Sequence, residues 1–233
     1  METSTLTGAV ALLDGDAVVG EHRLNVAVTH SERLLATIDH LLAAASWRLP
    51  DLAVLAVAIG PGSFTGLRIG VSTMKGLAFA TGTPLVGIPT LDALAWGLPY
   101  AVCAVCAILD AKKGEVYAAV YRTDEGRLER LSDYRALPPE ALAEALAAEG
   151  HGPIIFAGDG IGAYAAVFRR VLGSRARFAP ANQRLPSAVP VAELGGEAFV
   201  RGEVADPASL VPLYIRRSEA ELGRERLRVG PAH

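Results

Sequence analysis

The stretch from Ala53 to Thr81 constrains the fold most, because an apolar run, a glycine loop and an apolar helix pattern follow one another directly. The run 53–59, AVLAVAI, is typical of a β-strand that is covered on both faces. The tripeptide GPG at 60–62 ends that strand. A helix is predicted over 66–81, and Gly82 stands where a left-handed residue would terminate it. The sequence therefore predicts a strand–loop–helix unit of an α/β protein.

The helix predicted over 66–81 is apolar on two opposite sides when its residues are placed 100° apart. The first side carries Leu67, Val71, Met74 and Ala78. The opposite side carries Ile69, Thr73, Gly76, Leu77 and Ala80. Small residues recur at four-residue spacing as well, in the sets Gly66/Gly70 and Ser72/Gly76/Ala80. A single sheet covers one side of a helix, so a partner protein is a candidate to cover the other.

The glycine loop contains Gly60, Gly62 and Ser63, and its place before a helix suggests phosphate binding at the free N–H groups. The spacing has one residue too many for the dinucleotide fingerprint, and no GK[ST] follows at P-loop spacing. Ser63 also lacks the G-x-S-x-G frame of a nucleophile elbow. We therefore expect a tight turn and close packing rather than direct anion binding.

Composition narrows the class of protein. With 233 residues, of which 51% are hydrophobic, the chain is expected to form one or two domains, and its net charge of −3 gives no overall basic field for RNA. We expect no signal peptide and no membrane span, hence a cytoplasmic protein. The C-x-x-C pair Cys103 and Cys106 lies in a buried-strand pattern with odd spacing, which favours two core residues over a redox or zinc site.

The order of predicted elements repeats. We expect strands at 8–13, 17–24 and 25–28, a helix opened by a capping box at Thr29–Glu32, a strand at 52–59, the helix at 66–81, a strand at 85–88 and a helix at 90–97. A second series is expected at 101–109, 116–122, 127–135, 138–149, 154–157 and 161–172. Two successive β-β-β-α-β-α units imply an internal duplication.

This duplication predicts two lobes. The N-terminal lobe is expected to span 1–98, with a helix within 187–205 returning to it, and the C-terminal lobe 99–186. The extension 207–233 is expected to be extended near 209–215 and frayed after 222.

Several segments resemble the TsaB (YeaZ) family. The specific one is GPGSFTGLRIGVSTMKGLAFATGTPLVGIPTLDALA at 60–95, which is similar to the signature segment of that family. Shorter similarities are ETST at 2–5, THSERLL at 29–35, LDAKKGEVY at 109–117, GDGIGAY at 158–164 and PLYIRR at 212–217. Together they span most of the chain in the family's order. The resemblance implies an α/β, two-lobed actin/Hsp70-like (ASKHA) fold.

In that fold group a nucleotide lies between the lobes, held by the tip of each lobe's first hairpin. The resemblance places these tips at Thr3, Ser4 and Thr5 and at Lys112 and Lys113. The family pattern has a full apolar strand ending in Asp before the first tip, whereas this sequence has only Met1-Glu2. Either the true start lies upstream, or the strand is lost and Glu2 replaces the aspartate. A polar turn is the commoner role of a lysine pair. We therefore expect no cofactor, with ATP or ADP at a lobe or subunit interface as the alternative.

The resemblance also implies what this chain does. Catalytic relatives bind a metal through His-x-x-x-His on the first helix, but here His30 is followed by Leu34, so we expect neither a metal site nor catalytic residues. The implied function is a non-catalytic scaffold of the complex that transfers a threonylcarbamoyl group to the adenosine beside the anticodon of tRNA. The implied partners are the metal-bearing homologue TsaD and the ATPase TsaE, with tRNA contacted through the complex and a homodimer formed in their absence. We assign the partner interface to Ala36, Ala43, Leu67, Gly70, Val71, Met74 and Ala78.

Three alternatives stay open. A nucleotide-dependent ATPase or kinase of the same fold would need an intact first hairpin. A glycoprotease-like peptidase would use Ser63 as its nucleophile. A homodimeric binding module would use the same apolar helices on a second copy.

Overall fold

The structure of the chain, a computed structural model, describes residues 1–25, 30–124 and 126–216, without the side chains of 25 and 30–33. Its first half contains β1 (Thr7–Asp14), β2 (Ala17–Asn25), α1 (His30–Ala44), β3 (Leu55–Gly60), α2 (Phe64–Thr81), β4 (Leu85–Pro89) and α3 (Thr90–Trp96). Its second half contains β5 (Ala104–Lys112), β6 (Glu115–Asp124), β7 (Arg127–Arg130), β8 (Arg135–Leu137), α4 (Pro139–Ala148), β9 (Ile154–Ala157), α5 (Gly160–Leu172), β10 (Ala176–Phe178) and α6 (Ala188–Val200).

The C-terminal lobe is built on one mixed sheet with strand order β10-β9-β5-β6-β7. Its central strand, β5, runs parallel to β9 and antiparallel to β6. One face packs against α4 and α5, where Phe156 stacks on Phe168 with ring centroids 4.2 Å apart. The other face packs against α3 through residues such as Leu91 and Tyr121. Coverage on both faces explains why β5 reads as a continuously apolar run.

The N-terminal lobe repeats this strand order with its central strand shortened. The antiparallel pair β1–β2 and the parallel pair β3–β4 are separate two-stranded sheets. Met1 and Glu2 lie between them: Glu2 pairs with Ala9 of β1, and the Met1 carbonyl accepts from the amide of Ala58 in β3 at 2.9 Å. The order is therefore β4-β3-(1–2)-β1-β2, which matches the C-terminal sheet and confirms the predicted duplication.

Three predictions about strands need correction or lie outside the described residues. Met1-Glu2 take the place of the first strand of the N-terminal unit. The strand predicted at 25–28 and the capping box lie largely outside the described residues, because 26–29 are not described and 30–33 lack described side chains. The strand predicted at 127–135 is divided into β7 and β8. The strand predicted at 101–109 begins at Ala104, so half-buried Cys103 precedes it while Cys106 is buried within it.

The helix expected within 187–205 is α6, and it packs against β1, β3 and β4 of the N-terminal lobe. Gly195 makes this possible, because a β-carbon there would overlap Ala56. In the segment predicted to be extended, Ser209 lies in a turn whose amide donates to the Asp206 carbonyl, and residues 210–214 form no helix or strand. The Leu213 amide donates to the Ile59 carbonyl at 2.7 Å. Within the described residues, no helix is long and apolar enough to cross a membrane.

Candidate functional site

The glycine loop turns the chain from β3 into α2 and packs closely on its surroundings. Gly60 has φ +114°, and a β-carbon there would come within 2.8 Å of the Leu213 carbonyl oxygen. The Ser63 hydroxyl accepts from the amide of Gly66 and caps α2. The Ser63 amide donates to the Ser4 carbonyl. The loop's polar groups therefore bind the chain itself, in agreement with the predicted turn and close packing.

Residues Thr3 and Ser4 lie in the space that the glycines leave open. A β-carbon on Gly62 would overlap the Ser4 carbonyl, and one on Gly66 or Gly70 would overlap Thr3. The four-residue spacing of Gly66 and Gly70 thus leaves room for Thr3 of this chain, its carbonyl at Gly66 and its hydroxyl at Gly70. Thr3 and Ser4 are fully buried, so neither hydroxyl faces an open cleft where a nucleotide phosphate could reach it.

The first two residues carry unusual electrostatics. The Met1 ammonium group is buried and donates to the Ala56 carbonyl at 2.7 Å. Burial lowers its pKa from 8.0 to about 5. The Glu2 side chain is also fully buried, and although it accepts from the Ser4 amide, burial raises its pKa. Burial therefore disfavours the charged forms of both the Met1 amine and the Glu2 carboxyl.

The second hairpin tip that was predicted to hold a nucleotide is a charged turn on the C-terminal lobe. Lys112, Lys113 and Gly114 all have positive φ, which closes the β5–β6 hairpin. The Lys112 ammonium donates to the Asp110 carboxylate at 2.7 Å. Burial would raise the Asp110 pKa, but the hydrogen bonds from Lys112 outweigh it and lower that pKa. This pairing agrees with the polar-turn interpretation of Lys112.

The face of α2 that carries most of the predicted partner contacts is buried inside this chain. Leu67, Gly70, Val71, Met74 and Ala78 are all buried. Val71, Met74 and Ala78 belong to one cluster with Leu34, Ile38 and Leu42 of α1 and with Met1. The assignment of these five residues to a partner surface is therefore wrong: they form the core between α2 and the N-terminal sheet. Ala36 and Ala43 of α1, by contrast, are exposed.

The opposite face of α2 is open. Ser72, Gly76 and Ala80 are exposed, and a β-carbon on Gly76 would meet no atom within 4 Å. Phe79 is 64% exposed beside them, and Leu35 on α1 is 56% exposed. Because α1 packs against α2, these residues with Ala36 and Ala43 make up the outward surface of one helix pair. We call this the open helix face.

One edge of α2 holds a cluster that the sequence did not reveal. The Arg68 guanidinium lies 3.8 Å from the Phe64 ring centroid, and its Nε donates to the Tyr214 hydroxyl at 3.2 Å. The Phe64 and Tyr214 rings are 5.3 Å apart. Lys75 donates to the carbonyls of Ala208 and Leu210. Both cations of α2 therefore hold the 208–214 segment along one edge of the helix.

Two further predictions concern a metal site and a peptidase nucleophile. Within them, no group of three or more His, Cys, Asp or Glu residues is placed to hold a metal ion. The side chain of His30 lies outside this description. Ser63, the nucleophile of the peptidase alternative, serves as the N-cap of α2.

Known proteins resemble this chain in both sequence and fold. The family model of TsaD, tRNA N6-adenosine threonylcarbamoyltransferase, matches residues 24–224. A tRNA threonylcarbamoyladenosine biosynthesis protein TsaB of Bacillus subtilis is 32% identical over 222 residues, covering 95% of this chain and 94% of the relative. YeaZ from Pseudomonas aeruginosa superposes with a TM-score of 0.79 at 31% identity, covering 92% of this chain and 97% of that chain.

A more distant structure bears on the fold alone. The ethanolamine utilization protein EutJ from Carboxydothermus hydrogenoformans has a TM-score of 0.50 at 14% identity, covering 83% of this chain and 88% of that chain. The predicted two-lobed actin/Hsp70-like fold is confirmed by these structures together with the repeated sheet order. The chain therefore belongs to the family that the TsaD model describes, and within it to the TsaB proteins of tRNA threonylcarbamoyladenosine biosynthesis.

Proposed function

We propose that this chain is a non-catalytic scaffold subunit of the complex that transfers a threonylcarbamoyl group to the adenosine beside the anticodon of tRNA. It pairs with a TsaD-like catalytic subunit and supports a TsaE-like ATPase. The observation that carries the proposal is the open helix face: an exposed, partly apolar surface on two packed helices of a TsaB-family chain. Such a surface suits a helix-to-helix interface with a homologous subunit.

The shape of the open helix face supports this mode of binding. Ser72, Gly76 and Ala80 recur at four-residue spacing, so a facing helix can approach the α2 backbone closely. Phe79 beside that stripe and Leu35 on α1 are exposed apolar side chains, and aromatic residues such as Phe79 are enriched in the cores of protein interfaces. A stable interface of this kind buries about 1,600 Å² in total.

The polar residues at the two predicted nucleotide-binding tips support the non-catalytic part of the proposal. Thr3 and Ser4 are buried by the chain itself, and Lys112 is paired with Asp110. The net charge of −3 gives no broad attraction to tRNA, so tRNA is contacted through the complex. No resident cofactor is proposed for the isolated chain, and the protein acts in the cytoplasm, where tRNA is modified. In the absence of TsaD, the open helix face pairs with a second copy.

Two helix glycines provide a matched test of the interface. Gly76 in α2 and Gly162 in α5 are both exposed, and a β-carbon on either would meet no atom within 4 Å. Each variant, Gly76→Arg or Gly162→Arg, is co-expressed with a TsaD-like subunit and analysed by size-exclusion chromatography. We expect Gly76→Arg to abolish co-elution and Gly162→Arg to preserve it, with neither variant melting below the wild-type chain. Stoichiometric co-elution of a folded Gly76→Arg variant would exclude this face as the interface.

The scaffold role has a separate test. Threonylcarbamoyladenosine formation is measured in a reconstituted system from which each subunit is omitted in turn. We expect the isolated chain to modify no tRNA, to turn over no ATP and to cleave no protein substrate, and its omission to abolish or strongly reduce modification. ATP turnover by the isolated chain would favour the ATPase or kinase alternative. Proteolysis that is lost in Ser63→Ala would favour the peptidase alternative.

A further inference from the structure

A crevice of about 870 Å³ is lined by residues of both lobes, at an edge strand of each sheet. On the N-terminal lobe it is lined by residues 86–89 of β4, and on the C-terminal lobe by residues 126–128 at the start of β7. The C-terminal half of α6 and residues 203–205 line its remaining side. Because β4 and β7 are each the last strand of their sheet, both can pair with a further strand. The volume is in the range of ligand-binding pockets.

The main chain of Gly87 in β4 points away from β3 and into the crevice. The parallel pairing of β3 with β4 begins at the Leu55 amide, which donates to the Pro84 carbonyl at 2.8 Å. Main-chain groups alternate in direction along a strand, so even-numbered residues of β4 face β3 and odd-numbered residues face the opposite edge. The Ala205 amide agrees with this, since it donates to the Leu85 carbonyl from that edge at 2.8 Å. Gly87 therefore directs both its N–H and its C=O to the edge that lines the crevice.

This chain pairs with only the first of the two outward-facing residues of β4. Ala205 forms an antiparallel bridge with Leu85, which puts Glu203 in register with Gly87. The Glu203 amide instead donates to the Ala198 carbonyl at 2.9 Å, just beyond the end of α6. In the part of the chain that the structure describes, neither main-chain group of Gly87 has a hydrogen-bond partner. The β4 edge is therefore open to two more main-chain hydrogen bonds.

The start of β7 has the same arrangement on the other lobe. The Leu131 amide donates to the Val120 carbonyl at 2.8 Å, which identifies these residues as a hydrogen-bonded pair of the β6–β7 ladder. Hydrogen-bonded pairs alternate with non-hydrogen-bonded ones, so Arg127 bonds to β6 through its main chain while Leu128 directs its N–H and C=O away from β6. An extended segment in the crevice therefore has main-chain groups to pair with on both lobes.

The charges of the lining favour an acidic segment. Arg201 is neutralised within the chain, because its guanidinium lies 2.8 Å from the Glu203 carboxylate and 3.7 Å from that of Glu197. The Asp92 carboxyl accepts hydrogen bonds from two tyrosines. Arg127 is exposed at the crevice and forms no ion pair with any described residue. Its guanidinium is therefore available to a carboxylate of the bound segment.

We propose that this crevice binds an extended acidic peptide segment of a partner protein, which adds to the edge of β4 as a further strand. One residue of the segment exchanges two main-chain hydrogen bonds with Gly87. Its side chain lies on the side of Leu210, where Gly87 itself has none, and the residues before and after it face Leu194 and Ala198 of α6. These contacts favour apolar side chains in the middle of the segment, and an acidic residue beyond them pairs with Arg127.

The test titrates the isolated full-length chain with a capped hexapeptide, acetyl-Glu-Ala-Val-Ala-Val-Glu-amide, and follows the Gly87 amide by NMR. One control peptide carries Lys in place of both Glu residues, and a second is N-methylated at every residue so that it has no main-chain donors. We expect the acidic peptide to shift the Gly87 signal saturably and to slow its hydrogen exchange roughly tenfold or more at saturation. Both controls should bind at least tenfold more weakly. No saturable shift at millimolar peptide, or equal binding of either control, would overturn the proposal.

A matched pair of charge reversals locates the bound peptide. Arg127→Glu changes the crevice, whereas Arg177→Glu makes the same change of net charge at an exposed residue of β10, on the opposite edge of the C-terminal sheet. We expect Arg127→Glu to weaken binding of the acidic peptide at least tenfold and to strengthen binding of the Lys peptide, and Arg177→Glu to change neither. Equal weakening by the two variants would show unspecific attraction and contradict the site.

The result is independent of the scaffold function. The crevice contains none of the residues that define the open helix face, and every readout uses the isolated chain. Loss of peptide binding in Arg127→Glu with co-elution of the TsaD-like subunit preserved would separate the two surfaces. Loss of co-elution in that variant would contradict the assignment of Arg127 to a separate peptide site.

Discussion

The carbonyl oxygen of Thr3 lies so close to the α-carbon of Gly66 that a β-carbon at position 66 would overlap it. This contact fixes the N-terminal segment against the first turn of α2, and it explains why position 66 is a glycine. We expect Gly66→Ala to lower the free energy of unfolding by about 1–3 kcal/mol, because backbone atoms must shift to admit the methyl group.

Gly76→Ala, on the open side of the same helix, is the control for Gly66→Ala. It should raise the free energy of unfolding by roughly 0.5–1 kcal/mol, since alanine favours the helix and nothing opposes its β-carbon. Urea denaturation measures both variants. Equal effects of the two substitutions would contradict the contact between Thr3 and Gly66.

Met74 tests whether the buried face of α2 belongs to the core. The side chain is 6% exposed and packs with Ile38 and Leu42 of α1. Met74→Glu should lower the free energy of unfolding by several kcal/mol, because it buries a carboxylate without a partner. Met74→Leu keeps the volume and should cost less than about 1.5 kcal/mol. A folded Met74→Glu protein of wild-type stability in chemical denaturation would restore the original assignment of this face to a partner.

Asp92 joins α3 to the C-terminal sheet by accepting hydrogen bonds from Tyr121 at 2.7 Å and from Tyr134 at 2.8 Å. Burial raises the pKa of Asp92, although both tyrosines and the charge of Arg130 oppose the shift. The folded state therefore holds the proton more tightly than the unfolded state does. The stability that the folded protein gains from this proton is complete below the ordinary pKa of 3.8. It is lost as the pH rises through the raised pKa of the folded state.

Asp92→Asn removes the titration while keeping an acceptor oxygen for the tyrosines. Relative to this variant, we expect the wild-type protein to lose stability as the pH rises above 3.8. Denaturant unfolding at each pH gives the difference, and the other buried carboxyls cancel because both proteins contain them. A difference that does not depend on pH would show that Asp92 has an ordinary pKa in the folded protein.

The buried Met1 amine should give the free energy of unfolding a pH dependence of the opposite sign. Its pKa is about 5 in the folded chain and 8.0 in the reference state, so the unfolded chain binds more protons between these values. Stability should therefore rise with pH across that window, by up to about 4 kcal/mol for this group. Acetylation of the Met1 nitrogen should abolish this part of the slope. An unchanged slope after acetylation would place the amine in water.

Phe79 tests self-association through the open helix face. Phe79→Asp introduces a charge where the side chain is 64% exposed, so the fold should keep its wild-type melting temperature. We expect sedimentation to show a concentration-dependent dimer for the wild-type chain and at least a tenfold weaker one for the variant, a loss of about 1.4 kcal/mol. Val102→Asp, at a side chain that is 96% exposed on the other lobe, is the control and should leave the dimer unchanged.

Much of the fold follows from local patterns. Periodicity and turn residues predicted the β1–β2 hairpin, the β3–loop–α2 unit and the strand β9 close to their observed bounds, because alternation, helical spacing and glycine placement are local properties. The glycine loop was also predicted correctly as a turn. The faces of α2 were assigned the wrong way round, since both are apolar and periodicity alone cannot decide which one meets the sheet.

The sequence by itself determined the repeated α/β organisation, the family and the presence of an unusually apolar helix, because each is written in residue order. The tertiary structure decided which side of that helix is free, by placing Thr3 against Gly66 and Gly70 and Met1 beside Met74. It also decided that Arg68 binds Tyr214, 146 residues away. Contacts between residues so distant in sequence depend on how sheets and helices stack, and no local pattern encodes them.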